Sequence, residues 1–326
     1  MTSQITSTQN LTSWNSRRGI LRSAFAAAAS VALVGGLAAC GSSSEDDKET
    51  LTFAAVPAES SQSLEATFSN VGKLLEEETG KKIEFQNASD YASVIEGQRA
   101  GKIDIASYGP FSYVIAKDSG INIDPMVAPT NDEDKAPAYH SLAYVKKGSD
   151  IRSLADVKGK RVCFVDQAST SGYLVPTDGL MKEDIDPKTD ITPVMAGGHD
   201  ASLLGLNTDQ CDVAFAHDAM LETLSKSGQM DENSVESIWE SEAIPEDPIV
   251  VNNDTVDKET ADKIREALEK FANKPAMVEK GICPSEDECE LPEEIEWGYL
   301  PVTDEDYNPI REVCETTKAE ACSNVG

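Results

Sequence analysis

The sequence predicts an α/β protein whose helices cover a largely parallel sheet. Three observations carry that expectation. Short apolar runs alternate with segments of helical spacing, the order that builds parallel strands joined by crossover helices. Several of those runs end in turns rich in glycine, serine or histidine, as at Gln167-Ala168-Ser169-Thr170-Ser171-Gly172-Tyr173. The chain has 326 residues, enough for two domains.

The first forty residues are set aside from the fold. Ser16-Arg17-Arg18-Gly19-Ile20-Leu21-Arg22 resembles a twin-arginine export signal, and an apolar stretch from Ala24 to Leu37 follows. Basic segment, apolar segment and small residues in that order make an export signal too short for an ordinary membrane span. The ending Leu37-Ala38-Ala39-Cys40 resembles a bacterial lipobox. That resemblance implies a signal peptide over 1–40, with Cys40 lipidated as the mature N-terminus. Residues 41–50, small, polar and charged, suit a tether from a membrane.

Leu51 to Val56 is a short apolar strand ended by Pro57. From Ser63 to Thr79 the residues Leu64, Phe68, Val71, Leu74 and Leu75 follow a helical spacing, and Gly80 stops the helix. Ile83-Glu84-Phe85 alternates as a second strand, and Asn87-Ala88-Ser89-Asp90 caps a helix containing Tyr91, Val94 and Ile95. Ile103 to Ala106 is a third strand. It runs into Ser107-Tyr108-Gly109-Pro110, where glycine permits close backbone approach and proline suits the first helical position. Tyr139 to Val145 is a strand, Ile151 to Val157 a short helix, and Arg161 to Val165 a buried strand. Ile191 to Met195 leads to the Gly197-Gly198-His199 turn, and Cys211 to Ala216 ends at His217-Asp218. Pro248 to Val251 suits a strand returning to the first domain, and Lys258 to Asn273 is an amphipathic helix.

The 167–173 stretch carries the chemistry. It lies where a buried strand hands over to a helix ending near Met181. The first amides of a helix have no internal partner, and the helix dipole adds partial positive charge there. Hydroxyls beside those amides make a dense cluster of neutral donors, which suits a tetrahedral oxyanion. An isolated Ser-Thr-Ser at such a place is more often an ordinary cap.

Four stretches together resemble the phosphonate/phosphite/phosphate-binding proteins of ABC importers. They are Asp90-Tyr91, Tyr108-Gly109, Ser169-Thr170-Ser171-Gly172-Tyr173-Leu174-Val175-Pro176 and Gly198-His199, joined by Ile244-Pro245-Glu246-Asp247-Pro248-Ile249-Val250. The similarity runs in order from about Leu51 to Ala276, and the acidic tail beyond Gly281 lies outside it. The resemblance implies a type II periplasmic-binding-protein fold, two lobes joined by two crossing segments near Ala138 and Ile249. It places one lobe at 51–137 plus 252–326 and the other at 138–251. It also implies that Ser169, Thr170, Ser171 and His199 grip the oxygens and that Tyr91 and Tyr108 close over the ligand. Asp247 matches a carboxylate that holds an amino group in aminoalkylphosphonate receptors. The second such carboxylate falls on Ala219, with Asp218 one residue earlier. Either Asp218 substitutes for it through a small loop change, or the receptor does not take an amine; the second option favours a smaller oxyanion such as phosphite, phosphate or methylphosphonate. The expected partners are a small phosphorus oxyanion, ABC permease and ATPase subunits, and the membrane through Cys40. The protein is expected to be a monomer on the extracytoplasmic face, without a cofactor.

Composition narrows the alternatives. The formal charge is −30, from 58 acidic and 28 basic residues. Residues 1–40 hold Arg17, Arg18, Arg22 and no acid, so the mature chain carries 25 basic against 58 acidic residues, −33. That excludes nucleic acid as a partner. Six cysteines follow Cys40, an even number that suggests disulfides in an exported chain. Fifteen pairings are possible. Proximity favours Cys283 with Cys289 and Cys314 with Cys322, leaving Cys163 with Cys211. Export of a folded chain would require the fold to tolerate the reduced state. A hydrolase could use Ser171, His199 and Asp247 or Asp218, but no Gly-x-Ser-x-Gly elbow is present, so no enzyme is expected. A metal-binding receptor of the same architecture could use His140, His199 and His217, without any tight ligand spacing in its support.

Overall fold

The computed structural model describes residues 48–58, 63–292 and 295–323. The expected export signal, Cys40 and the expected tether up to residue 47 lie outside the described residues. Among the described residues no helix is long and apolar enough to cross a membrane.

The strands in chain order are β1 (Thr50–Ala55), β2 (Lys82–Phe85), β3 (Ile105–Ser107), β4 (Ile123–Thr130), β5 (Ala138–Tyr139), β6 (Ser141–Lys146), β7 (Arg161–Phe164), β8 (Thr192–Met195), β9 (Val213–His217), β10 (Val235–Glu240), β11 (Ile244–Pro245), β12 (Ile249–Asn252) and β13 (Gly298–Pro301). They build a six-stranded sheet, β13-β4-β12-β3-β1-β2, and a five-stranded sheet, β10-β6-β9-β7-β8. In the first, β1 runs parallel to β2 and β3, while β12 is antiparallel to both β3 and β4. In the second, β7 runs parallel to β8 and β9, and β6 is antiparallel to β9 and β10.

A two-stranded ribbon joins the two halves. Ile244 pairs with Tyr139 and Pro245 with Ala138, so both chain crossings lie side by side. The crossing expected near Ala138 falls in this ribbon, and Ile249 begins β12 just after it. Ile249, Val250 and Val251 have no exposed surface. Apolar on both faces, they suit only a central strand, and β12 belongs to the sheet it pairs with.

Each lobe has its own core. Phe53, Leu74, Ile105, Ile264 and Leu268 fill one face of the first sheet, under helices Ser69–Thr79 and Lys258–Phe271. The second sheet is filled on one side by Val162, Phe164, Leu180 and Phe215 and on the other by Leu203, Leu206, Ala214 and Met220. The expected helix over 63–79 breaks at Phe68 into Leu64–Thr67 and Ser69–Thr79. Gly80, at φ 72°, ends it with its N–H on the Glu76 carbonyl. Capping sets other boundaries. Asp90 and Ser93 form a reciprocal cap on Tyr91–Arg99, and Pro110 opens Pro110–Asp118 behind Gly109.

Strands β4, β10, β11 and β13 were not expected from the sequence. Pro125 and Pro129 interrupt β4, and proline cannot donate to a ladder, yet β4 pairs with β12 and β13. The acidic tail is integrated as well. Beyond β13 the helix Asn308–Thr317 packs against Pro110–Asp118 of one lobe and Val175–Lys182 of the other. Tyr307 is fully buried 4.8 Å from the Tyr113 ring, and its hydroxyl donates to the Glu246 carbonyl at 3.0 Å. Disulfides join Cys163 to Cys211, Cys283 to Cys289 and Cys314 to Cys322.

Candidate ligand-binding site

The ends of several strands meet the β5–β11 ribbon around a small cavity of about 10 Å³. That is room for about one water molecule in this arrangement of the lobes. It contains the Ser169, Thr170 and Ser171 segment, the His199 and His217 rings, Tyr91, Tyr139, Gly109 and Asp247. Among the described residues no lysine or arginine lines it.

The serine-threonine-serine segment is held in an unusual turn. Ser169 is extended and caps it, with its Oγ accepting from the Gly172 N–H at 3.1 Å. The next residues, Thr170–Leu174, form a widened turn in which the Leu174 N–H reaches the Ser169 carbonyl. Gly172 permits this, because a Cβ there would collide with the Val165 side chain. As the first helical residues, Thr170 and Ser171 have no carbonyl behind them to accept from their N–H groups. Thr170 also reaches across the cleft, its Oγ1 accepting from the Phe111 N–H at 2.8 Å. Phe111 lies in the first turn of Pro110–Asp118, so this contact joins a helix start in one lobe to the turn in the other.

His199 begins the helix His199–Asn207. Its backbone N–H donates to the Ala58 carbonyl at 2.9 Å, a second bond between the lobes. Its Nδ1 lies 3.1 Å from the His217 N–H. A backbone N–H can only donate, so Nδ1 is the acceptor and the neutral ring carries its proton on Nε2. Burial, and then the neighbouring His217, hold its pKa well below the usual value. His199 is therefore a neutral donor, with Nε2 3.5 Å from the Ser169 Oγ. This polarity is opposite to that of a hydrolytic base, which needs a free Nε2 lone pair facing the serine.

Tyr139 and His217 also line the cavity; the sequence singled out His217 only as a possible metal ligand and Tyr139 not at all. The Tyr139 hydroxyl faces Ser171 and Thr170, and burial with Asp247 and Glu246 nearby keeps it protonated. His217 is pushed down to about 4 by burial, and its buried Nε2 has no partner among the described residues. The available signal for His217 was strand alternation: counting back from Asp218 puts it on the opposite face.

Two expected site residues do not reach the cavity. Tyr108 is fully buried in the core of its lobe, near Arg99 and Glu96, and its hydroxyl is unpartnered among the described residues. The site receives the adjacent Gly109 backbone instead. Asp218 points away from the cleft, its carboxylate accepting from the N–H groups of His140 at 3.0 Å and Ala219 at 3.1 Å. Tyr91, Ser169, Thr170, Ser171, His199 and Asp247 are brought together. His140 stands apart, with Nδ1 3.0 Å from the Ser241 carbonyl. Among the described residues no group of three or more His, Cys, Asp and Glu is arranged to hold a metal.

Residues 53–307 match the family model described as the phosphonate periplasmic substrate-binding protein of ABC transporters. The chain belongs to that family. Its members are extracytoplasmic substrate-binding components of ABC transporters. The chain is 40 % identical over 283 residues to the phosphate-import protein PhnD of Mycolicibacterium smegmatis, covering 84 % of this chain and 88 % of that protein. It is 31 % identical to the phosphonates-binding periplasmic protein of Escherichia coli, over 71 % of this chain and 69 % of the other. A binding protein component of a phosphonate ABC transporter from Pseudomonas aeruginosa superposes with a TM-score of 0.72 at 27 % identity, covering 86 % of this chain and 91 % of that one. The family match extends past Gly281 to Tyr307, so it includes part of the tail that showed no resemblance by inspection.

Proposed function

We propose that the cleft captures a small phosphorus oxyanion, phosphate, phosphite or a short phosphonate, and presents it to an ABC permease and its ATPase. The protein works as a monomer held to the outer face of the cell membrane through lipidated Cys40, and it turns nothing over. Ligand oxygens take the hydroxyls and first amides of the Ser169–Ser171 turn, the His199 Nε2–H and the Tyr91 and Tyr139 hydroxyls. The observation that carries this reading is the fixed polarity of His199: its Nδ1 is occupied by a backbone donor, so Nε2 can only offer a proton to the cavity. Hydrogen bonds to a charged oxyanion are about twice as strong as neutral ones. A set of fixed neutral donors can therefore hold an anion without a lysine or arginine. The orientation of Asp218 away from the cavity argues against an aminoalkyl substituent. The name of the 40 %-identical relative, a phosphate-import protein, supports phosphate within the class.

Titration calorimetry with phosphate, phosphite, methylphosphonate and 2-aminoethylphosphonate tests this. At least one of the first three binds, and 2-aminoethylphosphonate binds more weakly. His199→Ala and Ser169→Ala each weaken binding by roughly 10- to 150-fold, the loss of one hydrogen bond to a charged group, without unfolding the protein. No heat with any of the four ligands would remove the proposal.

A further inference from the structure

The Ser169–Ser171 turn is held in shape by a residue outside the cavity. In a widened turn each carbonyl accepts from the N–H five residues on. The Leu174 N–H donates to the Ser169 carbonyl and the Val175 N–H to the Thr170 carbonyl. Ser171 is next in that series, and five residues on stands Pro176, which has no N–H to give. Ser171 is buried, and a buried carbonyl without a donor is costly. The missing donor comes from another strand. Ser141, the first residue of β6 and fully buried, places its Oγ 2.6 Å from the Ser171 carbonyl. A carbonyl can only accept, so the Ser141 hydroxyl donates. Ser141 is itself fixed by Ser241: its N–H donates to the Ser241 Oγ at 3.0 Å, and its carbonyl accepts from the Ser241 N–H at 2.9 Å. Across the sheet it pairs with His217, whose N–H fixes the His199 ring.

We propose that Ser141 is a positioning residue of the oxyanion site: its hydroxyl stands in for the N–H that Pro176 lacks and so keeps the donors of the Ser169–Ser171 turn aimed into the cavity. The inference rests on the phosphorus-oxyanion reading and deepens it. Ser141 is not among the residues lining the cavity, and it acts through Ser171. Drawing the Ser171 carbonyl back toward β6 turns its negative end away from a bound anion, which it would otherwise repel. Without that bond the peptide between Ser171 and Gly172 is free to turn, and the Ser171 hydroxyl turns with it. Ser141 also stands two residues beyond Tyr139 of the ribbon, which ties the donor turn to the segment joining the lobes.

The test is titration calorimetry of the purified protein with phosphate, phosphite and methylphosphonate as probes. Ser141→Ala weakens the binding of whichever anion wild type takes by at least about fivefold, the lower end of what a buried acceptor loses with its donor. Loss of packing alone could do the same, so the deciding variant joins Ser141→Ala to Pro176→Ala. The second substitution restores an N–H where the series of the turn calls for one, and it does not refill the space at Ser141. The double variant binds within about threefold of wild type, since both changes act on one carbonyl and are not additive. Ser141→Ala that binds as tightly as wild type overturns the assignment while leaving the receptor intact. A double variant no better than the single one, in binding or in folding, overturns it too. Recovery of a folded, anion-binding protein in the double variant supports it even where Ser141→Ala alone does not fold. Wild-type protein that binds none of the three anions overturns both readings.

Discussion

His199 and His217 work as a pair at the scale of single residues. The backbone of one fixes the tautomer of the other, and their rings meet edge to face at 4.7 Å. Both are buried neutral, which has a consequence for stability. His217 titrates at about 4 in the folded protein against 6.5 for an unperturbed histidine. Below the higher value the unfolded chain takes up a proton that the folded chain refuses. The stability associated with neutral His217 is fully present above the unfolded value and is lost as pH falls toward the folded one. The loss is about 3 kcal/mol for a shift of this size. Urea unfolding of the ligand-free protein at several pH values in that window should show His217→Gln losing less stability with acid than wild type does. Parallel pH profiles for the two proteins would rule the effect out.

Glycine decides geometry at the scale of elements. The Ser169–Ser171 turn sits against the end of β7 only because Gly172 has no side chain to meet Val165. Overpacking of this kind costs about 1–3 kcal/mol. Gly172→Ala should lower the unfolding free energy by that amount in denaturant titration. It should also weaken ligand binding, since relief of the clash moves the donor hydroxyls. Gly109→Ala meets ordinary contacts, so its effect should fall on ligand affinity with little change in the denaturation midpoint. If Gly172→Ala matched wild type in both measurements, the widened turn would not depend on that close approach.

Charge and hinge set the behaviour of the whole molecule. The two lobes meet through the Phe111–Thr170 and His199–Ala58 bonds, beside the cavity, while the β5–β11 ribbon and the Asn308–Thr317 helix span them. Both cross-cleft bonds use N–H groups at helix starts, which water can satisfy when the lobes part. Hinge closure over the ligand is therefore a change between two satisfied states. Residues 41–326 carry 25 basic against 58 acidic residues, −33, a balance that repels an anion at long range. Raising ionic strength from about 0.01 M to about 0.15 M shortens the Debye length from about 30 Å to about 8 Å. Stopped-flow capture of phosphate should accelerate by at least about twofold over that range, the reverse of ordinary steering. Slower capture at higher salt would place a local positive field at the cleft that the residues lining it do not supply.

Local chemistry made much of this protein visible in its sequence. Strands ending in Gly109-Pro110, Ser169-Thr170-Ser171 and Gly198-His199 mark helix starts with spare donors, and those signals depend on residues close together in the chain. Proline hid β4, and the helix of the acidic tail escaped notice, because their pairing and packing partners are distant in sequence. The inward turn of His217, the outward turn of Asp218, the burial of Tyr108 away from the cleft and the arrival of Tyr139 were settled by tertiary packing. A residue's side of a strand follows from alternation only once register is known, and register is set by which strands pair. The sequence by itself determined which groups could donate to an anion; the folded structure decided which of them face the same small space, because that depends on two crossings lying side by side and on the face each side chain takes.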